Sequence, residues 1–204
     1  MIRRALLVLL LFVAVLTTFA TTASATIVVK LSLEELAQRS EVIAYGEVIK
    51  QESYWSEDGY AILTRVSLLV DDGVVGAEAG KTLEFVTLGG SIDGLAQAIA
   101  GEAAFRVGEH ALVFLEARKP GGDLNVVGMA QGKFAVILLP DAGATDPPMV
   151  APNLGNLTLA AIQPETSDSN RSVVTALETP KEVEPRPLTE VIAQVRSARG
   201  IVAP

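Results

Sequence analysis

The residues best suited to acid–base chemistry are Glu109 and His110, which stand together at a predicted turn, and His110 is the only histidine of the chain. A hydrolase would use such an imidazole as the general base that activates a serine or threonine nucleophile. No glycine-flanked serine motif or serine–lysine motif accompanies the pair. A turn residue whose ring covers the end of a strand explains His110 more simply. The sequence therefore predicts no catalytic residue, and a hydrolase using His110 and Glu109 is the disfavoured alternative.

Residue types that bind metals are scarce. The chain has no cysteine and one histidine, whereas a zinc site normally takes three or four histidine, cysteine or carboxylate ligands. Two acidic pairs, Glu57-Asp58 and Asp71-Asp72, lack the alternate spacing of a calcium-binding loop. Neighbouring carboxylates on a strand also point to opposite faces, so both pairs are interpreted as hairpin and strand-end residues. We expect no metal and no cofactor.

Aromatic residues gather at one predicted hairpin. Trp55 is the only tryptophan, and Tyr54 and Tyr60 are two of the three tyrosines. Exposed rings at a loop suit stacking on a sugar ring or on an extended peptide. The alternative is a cross-strand clasp of rings that stabilises the hairpin, and it is the simpler interpretation. Tyr54, Trp55 and Tyr60 are nevertheless the best candidates for a ligand-binding site in this sequence.

The charge balance limits the classes of partner. With 16 basic and 24 acidic residues, the net charge is −8. Nucleic acids and anionic membrane surfaces are bound through basic patches, so we expect neither as a partner. Solubility is the simplest role of such an acidic surface. The lack of cysteine excludes disulfides, so hydrophobic packing has to hold the fold together.

The N-terminal segment has the organisation of a secretory signal peptide. Arg3-Arg4 precedes the apolar stretch Ala5–Leu16, and Ala23-Ser24-Ala25 forms an A-x-A cleavage signature. An uncleaved membrane helix is less favoured, because this apolar stretch is shorter than the ~20 residues that a bilayer needs. We expect residues 1–25 to be removed, leaving Thr26 as the first residue of a chain without a membrane span. Such a protein is secreted or periplasmic.

Local patterns predict a helix followed by strands. Ser32 and Glu35 have the spacing of a capping box, which predicts a short helix over Leu33–Arg39. Apolar segments separated by turn residues predict the strands, and Gly46 inside the first of them predicts a bulge or bend. The predicted strands are Glu41–Trp55, Tyr60–Val70, Lys81–Leu88, Ala111–Leu115 and Leu124–Ala130, the last continuing past Gly132 to Val136.

The order of these elements favours one fold class. Ala111–Leu115 is apolar without interruption, which is typical of a strand buried on both faces. Leu95–Ala100, between the third and fourth strands, predicts a short helix or a loop. The order favours a mainly β fold, a five-stranded OB-like antiparallel barrel with short flanking helices. An antiparallel β-sandwich is the alternative.

The composition changes after the predicted barrel domain, residues 26–138. Residues 139–186 are rich in proline and predict an irregular extension, with at most short strands at Met149-Val150 and Leu157–Leu159. Residues 187–204 predict a C-terminal amphipathic helix. Its apolar residues, at the spacing i, i+3, i+4, i+7, are Leu188, Val191, Ile192 and Val195.

Four segments between residues 33 and 136 carry a resemblance to other proteins. They are Arg39–Val48, Gly89-Gly90, Phe105-x-x-Gly108-Glu109-x-x-Leu112-x-Phe114-Leu115 and Gly128-x-x-Gln131-Gly132-Lys133-Phe134. In these segments the chain resembles a group of uncharacterised exported bacterial OB-like β-barrel proteins and, more distantly, netrin and tissue-inhibitor-of-metalloproteinase modules. The resemblance implies an OB-like fold. Tissue inhibitors bind their target's zinc through an N-terminal cysteine, which this chain lacks, so that mechanism is not expected.

The sequence as a whole predicts an exported, non-catalytic β-barrel module that binds a protein or peptide partner, such as a secreted or envelope protease. A glycan-binding module that uses Tyr54, Trp55 and Tyr60 is the alternative from a second class. The hydrolase described above is the third. The absence of a catalytic motif and the aromatic hairpin favour the first of these hypotheses.

Overall fold

The structure is a computed structural model that describes residues 27–137, 147–154, 158–164, 172–176 and 183–201. The predicted signal peptide lies outside the described residues, as do parts of the proline-rich extension.

The fold is mainly β. Its strands are β1 Ile27–Val29, β2 Val42–Trp55, β3 Ile62–Val75, β4 Thr82–Leu88, β5 Gly90–Ile92, β6 Leu95–Gln97, β7 His110–Ala117, β8 Leu124–Val126, β9 Lys133–Ile137, β10 Met149–Pro152, β11 Thr158–Pro164, β12 Ser172–Ala176 and β13 Arg186–Pro187. The α-helices are α1 Leu33–Arg39 and α2 Leu188–Ala198, and Met129–Gly132 is a 3₁₀ turn.

The predicted helix Leu33–Arg39 is confirmed, and the predicted C-terminal amphipathic helix is found over Leu188–Ala198. The Ser32 hydroxyl accepts a hydrogen bond from the Glu35 N–H (3.1 Å), and the Glu35 carboxylate accepts one from the Ser32 N–H (2.7 Å). This reciprocal capping box satisfies two backbone donors that the first turn of α1 leaves unpaired. Helix α2 buries the four apolar side chains that its periodicity predicts, Leu188, Val191, Ile192 and Val195.

Five strands pair in a ring with the order β7-β2-β3-β4-β8, which closes because β8 also pairs with β7. They correspond to the five strands that the sequence predicts. A ring with an odd number of strands cannot be antiparallel throughout, so at least one pair must be parallel. That pair is β4 with β8, which meet at Val86 and Asn125. The other four pairings of the ring are antiparallel.

Strand β7 separates two hydrophobic cores. Ala111, Val113 and Leu115 belong to the cluster inside the ring, with residues of β2, β3 and β4. Leu112 and Phe114 belong to a second cluster, which also contains the buried faces of α1 and α2. All five side chains are fully buried. The prediction of a central strand that is buried on both faces is therefore confirmed, and its physical reason is this double cover.

Gly46 marks a bulge in β2, as the sequence predicts. The ladder between β2 and β3 shifts register between Tyr45 and Gly46. A Cβ atom at position 46 would lie 2.1 Å from the carbonyl oxygen of Leu69. Only glycine allows the two backbones to approach this closely. The bulge lets one long strand pair with β7 along its first half and continue along β3 to Trp55.

Two local predictions are wrong. Strand β3 does not end at Asp71–Gly73, because Gly73 still pairs with Ala44 and the strand runs to Val75. The segment Leu95–Ala100 does not form a helix, since its first residues form the hairpin of β5 and β6. Asp93 and Gly94 join those strands with φ of 52° and 77°. This is the left-handed geometry of a two-residue hairpin turn, for which Asp-Gly is a strong signal.

The end of the predicted barrel domain also differs from the sequence prediction. The fifth strand is interrupted, so β8 pairs with residues 115–117 of β7 and β9 with residues 111–113. Gly128 and Met129, with φ of 63° and 62°, make the break between them. The sheet then continues through β10 and β13, beyond the predicted boundary at residue 138. Strands β11 and β12 join β1 in a separate three-stranded sheet. The short strands that the sequence predicts at Met149-Val150 and Leu157–Leu159 are found as β10 and β11, whereas β12 and β13 were not predicted, because such short strands give too little periodicity.

Gly46→Ala is expected to lower the free energy of unfolding by ~3 kcal/mol, because its methyl group would overlap a backbone carbonyl that cannot move without breaking the ladder. Gly59→Ala is the matched control. Gly59 has φ of 72°, but a methyl group at this position would meet no atom within 4 Å, so only backbone strain of ~1 kcal/mol is expected. Urea unfolding followed by circular dichroism measures both. Equal losses in the two variants would contradict the close approach at Gly46.

Candidate functional site

The three predicted aromatic site residues do not form one platform. Tyr54 lies beneath the guanidinium of Arg65, with 5.2 Å between the carbon of the guanidinium and the ring centroid. Trp55, the next residue of the strand, points to the opposite face and is 40% exposed, and Tyr60 in the loop is 86% exposed. Among the described residues, the ring contacts join other aromatic pairs. The clasp considered from the sequence is therefore not formed, and a ligand-binding role for these rings stays a prediction.

The side chains of Glu109 and His110 have different partners. The imidazole Nε2 of His110 lies 3.6 Å from the carboxylate of Asp71, and its ring centroid lies 5.9 Å from that of Tyr45. Burial raises the pKa of the Tyr45 hydroxyl, and the negative charge of Asp71 raises it further. The carboxylate of Glu109 instead binds Lys133. The pair therefore lacks the geometry in which a carboxylate orients an imidazole base.

Lys133 is a buried cation at one end of the ring. Its side chain is 5% exposed, and its Nζ lies 2.6 Å from the carboxylate of Glu109. The Nζ also donates to the carbonyl of Ala104 and lies 4.4 Å from the centroid of the Phe105 ring. Burial lowers the pKa of Lys133, and the Glu109 carboxylate opposes that shift. With its donors occupied, Lys133 holds the segment before β7 against the ring.

A cleft of about 260 Å³ lies on the inner face of β2, β3 and β4, and its lining includes Ala104 and Phe105, the two residues that Lys133 also contacts. The chain that connects β6 to β7 forms its opposite wall. Polar side chains line the cleft at positions where the rest of the ring interior is apolar. They are Gln51, Thr64, Thr87, Gln97 and Glu102.

Two of these side chains, those of Gln51 and Glu102, have polar groups that a ligand could satisfy. The Nε2 of Gln51 is buried and has no hydrogen-bond partner, which is unfavourable for an amide donor unless a ligand or water satisfies it. Burial raises the pKa of the Glu102 carboxyl, while the backbone N–H of Leu88 and the charge of Arg118 oppose that shift. Glu102 therefore places a partly desolvated carboxyl group in the cleft. A hydrogen-bond donor or a cation beside it would stabilise its charged form.

Hydrogen bonds fix the wall of the cleft. The hydroxyls of Ser53 and Thr64 lie 3.0 Å apart, and Thr64 donates to the carbonyl of Gly89 at 2.7 Å. The side chain of Gln97 accepts the N–H of Ile62 at 2.7 Å. These bonds hold the β5–β6 hairpin against the ends of β2 and β3. The cleft is thus preorganised before any ligand arrives.

The second half of β2 has an unpaired edge beside this cleft. Strand β7 pairs with β2 only from Val42 to Glu47, and the turn before β7 adds one backbone pairing, at Val48. In the part of the chain that the structure describes, no strand forms ladder pairs with residues 50–55 on the side away from β3, although β5 contacts this segment through the N–H of Ser91, which donates to the Ser53 hydroxyl at 3.3 Å. We call this segment, Lys50–Trp55, the free edge. Unpaired edges of this kind accept strands from other chains.

The alternation of the ladder shows which backbone groups the free edge offers. The carbonyl of Ile62 points towards β4, where it accepts the N–H of Gly89 at 2.7 Å. Trp55 pairs with Ile62 in the ladder, so its own N–H and C=O point away from β3. The same groups of Ser53 and Gln51, at alternate positions of the strand, point the same way. Three residues therefore present donors and acceptors along the free edge.

Other kinds of site find no support in the described part of the chain. No three histidine or acidic side chains in the described ranges come close enough together to hold a metal ion. Neither of the two described α-helices has the length and apolar character to cross a bilayer. Comparison of the chain with protein-family models, with curated proteins and with solved structures found no match.

The residues that line the cleft were not predicted from the sequence. Gln51 and Ser53 face the cleft side of β2 because the ladder with β3 shifts register between Val48 and Lys50. Strict alternation from Val48 would place both residues on the opposite face, so the sequence carried no signal for them. No local pattern in the sequence marks Glu102 either, because it lies in a connecting segment whose path depends on the strands that it crosses.

Glu109→Ala is expected to lower the free energy of unfolding by ~3 kcal/mol, because it leaves the charge of Lys133 buried without its partner. Glu57→Ala, at an exposed loop residue, is the matched control. Chemical denaturation measures both variants. Adding Lys133→Met to Glu109→Ala removes the stranded charge and is expected to recover much of the loss. A Glu109→Ala variant as stable as the control would show that the ion pair does not stabilise the fold.

Proposed function

We propose that this protein is an exported, non-catalytic binding module that takes up an extended peptide segment of a partner protein as an additional strand along the free edge. The observation that carries the proposal is the unpaired edge of β2 directly beside a preorganised polar cleft. Strand addition uses backbone hydrogen bonds for affinity and side-chain pockets for specificity. The free edge supplies the first, and the cleft supplies the second.

The ring of strands supports an OB-like barrel as the finer description of the fold. The five strands close on themselves, and one parallel pair completes the closure. This pattern favours a barrel over the β-sandwich alternative, in which two separate sheets would face each other. OB-type barrels bind ligands on the face of their second and third strands. These correspond to β3 and β4, which line the cleft.

The partner belongs to the compartment that the predicted signal peptide implies. After removal of residues 1–25, the chain would meet proteins of the periplasm or the medium. A secreted or envelope protease, or another exported protein with an accessible extended segment, fits the free edge. The acidic net charge of −8 favours partner segments of basic character.

A glycan-binding module is the second candidate, because Trp55 and Tyr60 are both exposed near the free edge. A sugar ring would stack on one of them. The stacking of Arg65 on Tyr54 removes the third ring from such a site, which favours the peptide over the glycan. Titration with oligosaccharides separates the two, since Trp55 is the only source of tryptophan fluorescence.

N-terminal sequencing of the protein recovered from the culture medium or periplasm tests export. The expected first residue is Thr26, because Ala23-Ser24-Ala25 has the small residues that signal peptidase requires. An intact N-terminus in the membrane fraction would support an uncleaved anchor instead.

Strand addition is tested with peptides selected from a random library on the mature protein. N-methylation of single backbone amides removes one donor at a time without changing a side chain. Methylation at alternate positions, whose N–H groups face β2, is expected to weaken binding by tenfold or more, since each lost backbone hydrogen bond strands a carbonyl of the free edge. Methylation at the intervening positions is the internal control. Fluorescence of Trp55 reports binding. Uniform tolerance of methylation along the peptide would overturn strand addition.

A further inference from the structure

We propose that the cleft selects a lysine or arginine side chain of the bound peptide, with the carboxylate of Glu102 binding its positive charge. This inference rests on the proposed strand addition and names the peptide class that it selects. It follows from the position, size, charge and lining of the cleft.

Strand geometry aims every second side chain of an added strand at the cleft. Side chains of neighbouring strands that stand opposite each other lie on the same face of the sheet. Gln51 lies on the free edge and also lines the cleft, so the face that carries its side chain is the face of the cleft. A peptide residue paired opposite Gln51 therefore projects its side chain on the face of the sheet that carries the cleft, which Glu102 lines.

The size of the cleft suits one side chain. Its volume of about 260 Å³ is below the ~300–1,000 Å³ that is usual for pockets of whole small-molecule ligands. Apolar atoms of Val66, Leu88, Ile99 and Phe105 form part of its lining. They match the methylene stem of a long basic side chain, which covers apolar surface while its charged end reaches a polar partner.

Charge decides what the end of that side chain must be. Glu102 is the only ionisable residue among those that line the cleft in the described chain. A partly desolvated carboxylate binds a cation with a strong charge-assisted hydrogen bond, whereas an acidic side chain would be repelled. Arg118 lies close enough to influence Glu102, but it is not among the residues that line the cleft.

The unpartnered amide of Gln51 has a separate role in the same complex. Its buried Nε2 has no acceptor among the described residues. The incoming peptide backbone brings carbonyl oxygens to this edge of the sheet. A hydrogen bond from Gln51 to one of them would hold the peptide in the register that directs its basic side chain into the cleft.

The experiment uses the mature protein and four peptides, acetyl-Thr-Val-Thr-Xaa-Thr-Val-Thr-amide, in which Xaa is lysine, arginine, glutamine or glutamate. Each is titrated against the wild-type protein and against the Glu102→Gln and Glu57→Gln variants, with Trp55 fluorescence and amide chemical shifts as readouts. Glu57 lies in the exposed hairpin loop and serves as the matched control for the loss of one negative charge.

The lysine and arginine peptides are expected to bind the wild type about tenfold more tightly than the glutamine peptide, and the glutamate peptide more weakly still. Glu102→Gln is expected to abolish this preference while it leaves the affinity for the glutamine peptide unchanged. Glu57→Gln is expected to keep the preference. Should Glu102→Gln fail to fold, the wild-type comparison still decides whether a basic side chain is selected, and Glu102→Asp, which keeps the charge on a shorter side chain, tests the role of Glu102 by a weaker preference.

The outcomes separate this inference from the proposal on which it rests. Equal binding of all four peptides, with the alternate pattern of sensitivity to N-methylation, would overturn the selection of a basic side chain and leave strand addition standing. A preference for basic peptides that survives Glu102→Gln would overturn the role of Glu102. Failure of every peptide to bind would overturn both proposals.

Discussion

The burial of β7 on both faces is the constraint on which the rest of the structure depends. A strand with apolar side chains on both faces has to be covered twice, because either face left in water would lose the hydrophobic contribution of its residues. The ring interior covers Ala111, Val113 and Leu115, and the two α-helices cover Leu112 and Phe114. The helix at the far end of the chain is therefore part of the same fold as the strands.

Ring closure and unequal strand lengths together create the free edge. Strand β2 has 14 residues and β7 has eight, so β7 cannot accompany its neighbour over the whole length. The bulge at Gly46 allows β2 to bend and to follow β3 to Trp55. An edge beside a pocket thus results from the geometry of the scaffold, and the scaffold holds it rigidly. Rigid placement is what a binding site needs, since less conformational freedom is lost when a ligand binds.

The cleft shows where the fold departs from the rules of a stable core. Inside the ring, apolar side chains fill most inward positions, but polar ones replace them at the end that faces the β5–β6 hairpin. Thr64 is satisfied by its neighbours, whereas the Gln51 amide is not. Native proteins depart from full satisfaction of buried polar groups mainly at functional sites. Lys133, which is also buried, has its charge satisfied by Glu109 and contacts Ala104 and Phe105 in the lining of the same cleft.

Local patterns were enough to predict the capping box of α1, the buried face of α2, the bulge at Gly46 and the five strands of the ring. Each of these features depends on residues within a few positions of one another. Tertiary structure alone decided that Glu109 binds Lys133 and that the chain around Glu102 closes a cleft. It also decided that β2 extends beyond the end of its pairing with β7. These features depend on the register between segments far apart in the chain, and no short-range periodicity encodes that register.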